Sequence, residues 1–178
     1  MDHSMSITFT HTVAVLLLVS RLADVLSTRL VTPTLRLEAN PFVRQLGWRF
    51  AVSSLLLALI PYFMLPVGIA ILAASLLVSA SNFSRGWLAH AVGEDTYEEL
   101  LMRAGQTGRR RTALAFVLTG GGFACLAGLI LMWLSGSQDH PAHWFGFGIV
   151  AYGGAVAGYG YLFVARTFER AGSGSAAS

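Results

Sequence analysis

Two apolar runs, about Trp48 to Met64 and Val67 to His90, meet at the short junction Pro61-Tyr-Phe-Met-Leu-Pro66. Three more follow the same pattern: Ile7 to Leu30, Thr112 to Leu134 and Trp144 to Arg166. Each approaches or exceeds the roughly 20 residues that an α-helix needs to cross about 30 Å of hydrocarbon. In lipid every backbone N–H and C=O must be satisfied within the chain, which leaves helices or a closed barrel. Barrel strands alternate in polarity over about ten residues, and Phe50 to Leu65 does not alternate. Charged residues make up 12% of the chain, about half the share of a soluble domain. The expectation is therefore an all-α, polytopic transmembrane helical bundle of about five spans.

All twelve basic residues are arginine, which hints at a GC-rich coding sequence. They gather in alternate loops. Arg29, Arg36, Arg44 and Arg49 flank the first loop, Arg85, Arg103 and Arg109 to Arg111 the third, and Arg166 and Arg170 follow the last span. The N-terminus, the Pro61–Pro66 turn and the fourth loop have none. Positive-inside then predicts the N-terminus outside and the C-terminus inside, in the cytoplasmic membrane of a prokaryote. This distribution favours a topological role over nucleic-acid binding, so no nucleic acid is expected as a partner. The start, Met1 to His11, lacks a basic n-region and does not read as a cleaved signal peptide.

Residues 1–170 read as one transmembrane domain, with a soluble amphipathic segment at 94–111 and a disordered tail at 171–178. Thr96 and Glu99 have capping-box spacing, which predicts a surface helix over about Tyr97 to Ala104 that stops at Gly105. The loop over 31–47 interleaves Leu35, Leu37, Phe42, Val43 and Leu46 with charge, and fits an interfacial or re-entrant segment as well as a plain loop.

Polar groups collect at one end of the bundle. Arg21, Asp24 and Thr28 follow at steps of three and four, hence on one helical face. With Glu38, Asn40, Asn82 and Arg85 they form a candidate cluster for a cation path, a proton path or a small polar substrate. The same residues also fit a structural account. Arg21 and Asp24 would neutralise each other, Glu38 to Pro41 would form a capped turn, and Arg85 would reach the interface.

The steps Asp24-Val-Leu-Ser27-Thr28 and Glu38-Ala-Asn40-Pro41 carry a resemblance. They resemble the Asp-x-x-[Ser/Thr]-Thr and Glu-x-Asn-Pro elements of small prokaryotic membrane proteins grouped as the domain-of-unknown-function family DUF5658. The resemblance covers roughly the first ninety residues. It implies a compact helical bundle and carries no chemistry with it.

The glycines form a second constellation. Gly121, Ala124 and Gly128 in the fourth span, and Gly154 and Gly158 in the fifth, are spaced for close helix approach, within the bundle or against a partner. No Lys-Ser/Thr follows them, so they are not phosphate-cradling glycines. His140 and His143 are weak metal candidates, because Pro141 breaks the geometry that would aim both rings. No metal and no cofactor is expected. Cys125 is alone inside an apolar run and reads as a small buried hydrophobe.

No motif for nucleophilic catalysis, nucleotide binding or thiol redox chemistry is present. Composition and spacing therefore favour a non-enzymatic role. The chain reads as an accessory or assembly subunit, its partners the bilayer and other membrane subunits or itself. A small oligomeric transporter using Asp24, Glu38 and Asn82 is the alternative. A membrane-embedded lipid-modifying enzyme is the third reading.

Overall fold

The computed structural model describes residues 3–36, 38 and 41–175. Side chains are described for these except residues 3–6, 41, 85 and 170–175. The fold is all-α. Helix α1 spans His3–Val31, α2 Pro41–Ser53, a 3-10 helix Ser54–Tyr62, α3 Leu65–Val92, α4 Glu94–Thr107, α5 Arg110–Leu134 and α6 Pro141–Ser175. Among the described residues five segments are long and apolar enough to cross a membrane: Ile7–Val31, Phe42–Tyr62, Leu65–Val92, Arg110–Leu134 and Pro141–Glu169.

The second span departs from the expected uniform helix over Trp48 to Met64. It begins earlier, at Pro41, and is broken at Gly47, whose φ of 72° only glycine adopts freely. Beyond Ser53 the winding tightens to 3-10 for nine residues, longer than the usual three or four. Pro61 gives part of the reason. It has no N–H to donate, and its ring crowds the carbonyl four residues back, which opposes α winding there. Phe63 and Met64 then turn the chain. Pro66 falls in the first turn of α3, where a missing N–H costs nothing. A Cβ on Gly68 would lie 2.6 Å from the Pro61 ring, so glycine allows α3 to return directly beside the 3-10 helix.

Helices α1, α3 and the 3-10 helix pack on one another, α6 packs on α3, and α5 packs on α6. The buried core is small: Val13 and Leu17 of α1 against Ile69 and Leu72 of α3, flanked by Phe9, Trp144 and Phe145. Large apolar side chains face outward along every span, with Phe63, Phe116 and Trp133 among the most exposed. Such a surface is stable with lipid as its solvent.

The α5–α6 pair is built on glycine. A Cβ on Gly121 would lie 2.7 Å from the Gly153 carbonyl oxygen, and one on Gly128 would lie 2.5 Å from that of Gly146. The facing residues step by seven in opposite directions, the register of an antiparallel pair. Gly148 meets the Ala70 backbone of α3, so α6 also approaches its other neighbour through glycine.

The surface helix starts at Glu94 and ends at Thr107, three residues beyond the expected span at each end. Gly93, at φ 85°, precedes it, and Glu99 pairs with Arg103 at 2.7 Å in place of capping. Gly105 is buried inside the helix, and Gly108 is the stop. In the expected tail, residues 171–175 continue α6, and 176–178 lie outside the described residues.

Candidate polar cluster between the first three spans

Arg21 and Asp24 lie one turn apart on α1 and form an ion pair at 2.7 Å, with 17% and 14% of their side chains exposed. The 3-10 helix brings Ser54 to Arg21, which donates to its Oγ at 2.6 Å. From α3, Ser75 accepts from the same guanidinium at 3.4 Å. Asn82 donates through Nδ2 to Asp24 Oδ1 and to Thr28 Oγ1, both at 3.3 Å. Ser79 donates to the Ser20 and Ser75 carbonyls, at 3.1 and 2.9 Å, and so stitches α1 to α3 just beside the pair. Three elements thus converge on one salt bridge. Each charge meets the hydrogen-bond partners that make a buried pair tolerable. The guanidinium Nε is buried without a partner among the described residues.

Arg21, Asp24 and Thr28 lie on one face of α1, and Asn82 of α3 joins them there. Ser54 and Ser75 had no signal in the sequence, since a lone serine in an apolar run does not reveal which way it points. Glu38 belongs to the loop after α1, where its amide donates to the Leu35 carbonyl at 3.3 Å. Asp24 lies seven residues before the end of that helix, about 10 Å along its axis. Asn40 lies outside the described residues, as does the side chain of Arg85.

A second polar assembly, not foreseen from the sequence, ties the first loop to α4. Glu94 accepts from Thr32 Oγ1 at 2.6 Å, Thr34 Oγ1 at 2.8 Å and the Thr34 amide at 3.3 Å. Arg36 continues the clasp to Asp95 at 3.1 Å and Glu98 at 3.6 Å. Burial pushes the Glu94 carboxyl upward, but the hydrogen bonds from Thr32 and Thr34 and the charge of Arg36 outweigh it and hold the carboxyl below its ordinary range. Leu35, at φ 60°, is a left-handed non-glycine whose side chain is buried. That burial offsets the backbone cost.

The histidines do other work. His140 Nδ1 accepts from the Ala142 amide at 3.2 Å, ahead of α6, and His143 lies 3.4 Å from Ser135. Among the described residues no three His, Cys, Asp or Glu groups are placed to hold a metal. At the same end His11 Nδ1 and the Tyr62 hydroxyl are 2.9 Å apart, joining α1 to the 3-10 helix.

Of the glycine candidates, Gly121 and Gly128 are consumed in the α5–α6 contact, and Ala124 is half-buried between them in sequence. Gly154 and Gly158 have nothing within 4 Å of an added Cβ and lie on an open face of α6. The chain's own packing uses the seven-residue step through Gly146 and Gly153, while the four-residue step is left uncovered. No protein-family model, curated protein or solved structure matches the chain.

Proposed function

We propose that the protein works by association within the membrane, as an accessory or assembly subunit that docks a helix of a larger complex, or of a second copy, along α6. The observation that supports this reading is the division of glycines in α6. Gly146, Gly148 and Gly153 are each in close contact with neighbouring helices, whereas Gly154 and Gly158 leave backbone bare on an outer face. Small-x-x-x-small steps let a second backbone approach closely where burial supplies no extra drive. The arginine distribution supports an N-out, C-in arrangement in a prokaryotic cytoplasmic membrane. The similarity of Asp24–Thr28 and Glu38–Pro41 to DUF5658 proteins is consistent with a small bundle of this kind.

Gentle extraction from native membranes, a native gel and mass spectrometry of the band test the reading. The wild type is expected in a larger assembly, from which Gly154→Leu and Gly158→Leu are released while remaining folded. Unchanged association in both variants overturns it.

The alternative is a small oligomeric transporter. It is favoured by the Arg21–Asp24 salt bridge held inside the spans, with Asn82 on Asp24 and the Arg21 Nε without a partner among the described residues. Under that reading Asp24→Asn abolishes an ion flux in vesicles without loss of inserted protein. Equal flux removes it.

A further inference from the structure

At the arginine-rich end, the first loop, α2, α4 and the last turns of the fifth span enclose an open cleft. Arg36, Arg44 and Arg166 line it, together with Glu98 and the apolar side chains of Leu101 and Phe163. Arg36 is neutralised by Asp95 and Glu98. Arg44 and Arg166 are half-buried, and no carboxylate among the described residues lies within ion-pair distance of either. Three guanidinium groups and one carboxylate, Glu98, line the cleft, so its lining is net positive.

A half-buried cation has lost part of its hydration and gains from an anionic partner. The planar guanidinium fork suits phosphate oxygens, which two arginines from different elements can share. The cleft opens at the end of two membrane spans, with Leu101 and Phe163 forming an apolar wall. A free phosphate would meet only the arginines. A phospholipid meets both, its phosphate on the guanidinium groups and an acyl chain along the wall. A choline headgroup would bring a further cation towards Arg44 and Arg166.

We propose that this cleft binds the phosphate headgroup of an anionic phospholipid, held by Arg44 and Arg166, with an acyl chain against Leu101 and Phe163. It is a site distinct from the Arg21–Asp24 pair and from the open face of α6.

The test is native mass spectrometry of the full chain in mild detergent, with phosphatidylglycerol or phosphatidylcholine added. The wild type should retain phosphatidylglycerol about 25-fold more than phosphatidylcholine, since each of the two arginines near an anionic headgroup contributes about a fivefold preference. Arg44→Gln with Arg166→Gln should bring the two lipids level, and Arg109→Gln with Arg110→Gln should retain the wild-type preference. Equal retention of the two lipids by the wild type overturns the proposal, as does equal loss in the Arg109/Arg110 variant. Displacement of the lipid by millimolar inorganic phosphate would mark a free-anion site and overturn it too. If the double variant does not fold, Arg44→Gln alone decides: undiminished preference there overturns the assignment.

Discussion

Gly121 and Gly153 stand backbone against backbone, each so close that a Cβ on either would press into the carbonyl oxygen of the other. Because the contact is reciprocal, relaxing one helix cannot make room without parting the pair. Gly121→Leu and Gly153→Leu should therefore lower the thermal unfolding midpoint sharply in detergent. Gly154→Leu and Gly158→Leu, on open backbone, should leave it within a few degrees of wild type. Equal midpoints for the two sets would show that α5 and α6 do not meet through glycine.

The Arg21–Asp24 pair lends itself to a double-mutant cycle. Asp24→Leu strands the guanidinium among spans and should cost about 3–5 kcal/mol, as removal of one partner of a buried pair does. Arg21→Leu should cost a similar amount. The double variant should recover most of the loss, because no charge is left to desolvate. Chemical denaturation in mixed micelles reads this directly, and additive losses would contradict a mutually compensated pair.

Glu94 makes the clasp pH-dependent. Its folded carboxyl titrates below the unfolded one, so the clasp contributes stability that is fully present above the ordinary glutamate value, about 4.3. That contribution is lost as pH falls through the lower folded value. Amide exchange at residues 32–36 should accordingly rise only in strongly acidic buffer. In Glu94→Gln it should already be raised at pH 7 and show little further acid dependence. An acid response identical to wild type in that variant would assign the effect to another group.

Gly47 carries its φ of 72° in open space, with nothing near an added Cβ. With ψ at −167° that conformation is essentially reserved for glycine, so Gly47→Ala should cost only the backbone strain, about 1–3 kcal/mol. A much larger loss would mean that the break at this position is more constrained than its surroundings show.

The span count, the all-α class and the shared face of Arg21, Asp24 and Thr28 were legible in the sequence, because they depend on local quantities. Hydropathy along a run and the 3.6-residue period decide them without reference to any distant residue. The 3-10 winding before Pro61 and the break at Gly47 carried only faint marks, a proline and a glycine whose geometry depends on what lies beside them. The partners of Arg21 were not legible at all. Ser54 and Ser75 are 33 and 54 residues away, and only the packing of the 3-10 helix and α3 against α1 turns those serines onto the guanidinium. The glycines show the same division. Their abundance in the last two spans announced close helix approach. Which of them would be covered was decided by the antiparallel register of α5 and α6, which sets Gly121 on Gly153 and Gly128 on Gly146 and leaves Gly154 and Gly158 bare. A sequence determines where a helix can come close. Only the tertiary structure determines what comes close to it, because register and rotation are set by the summed contacts of both helices at once.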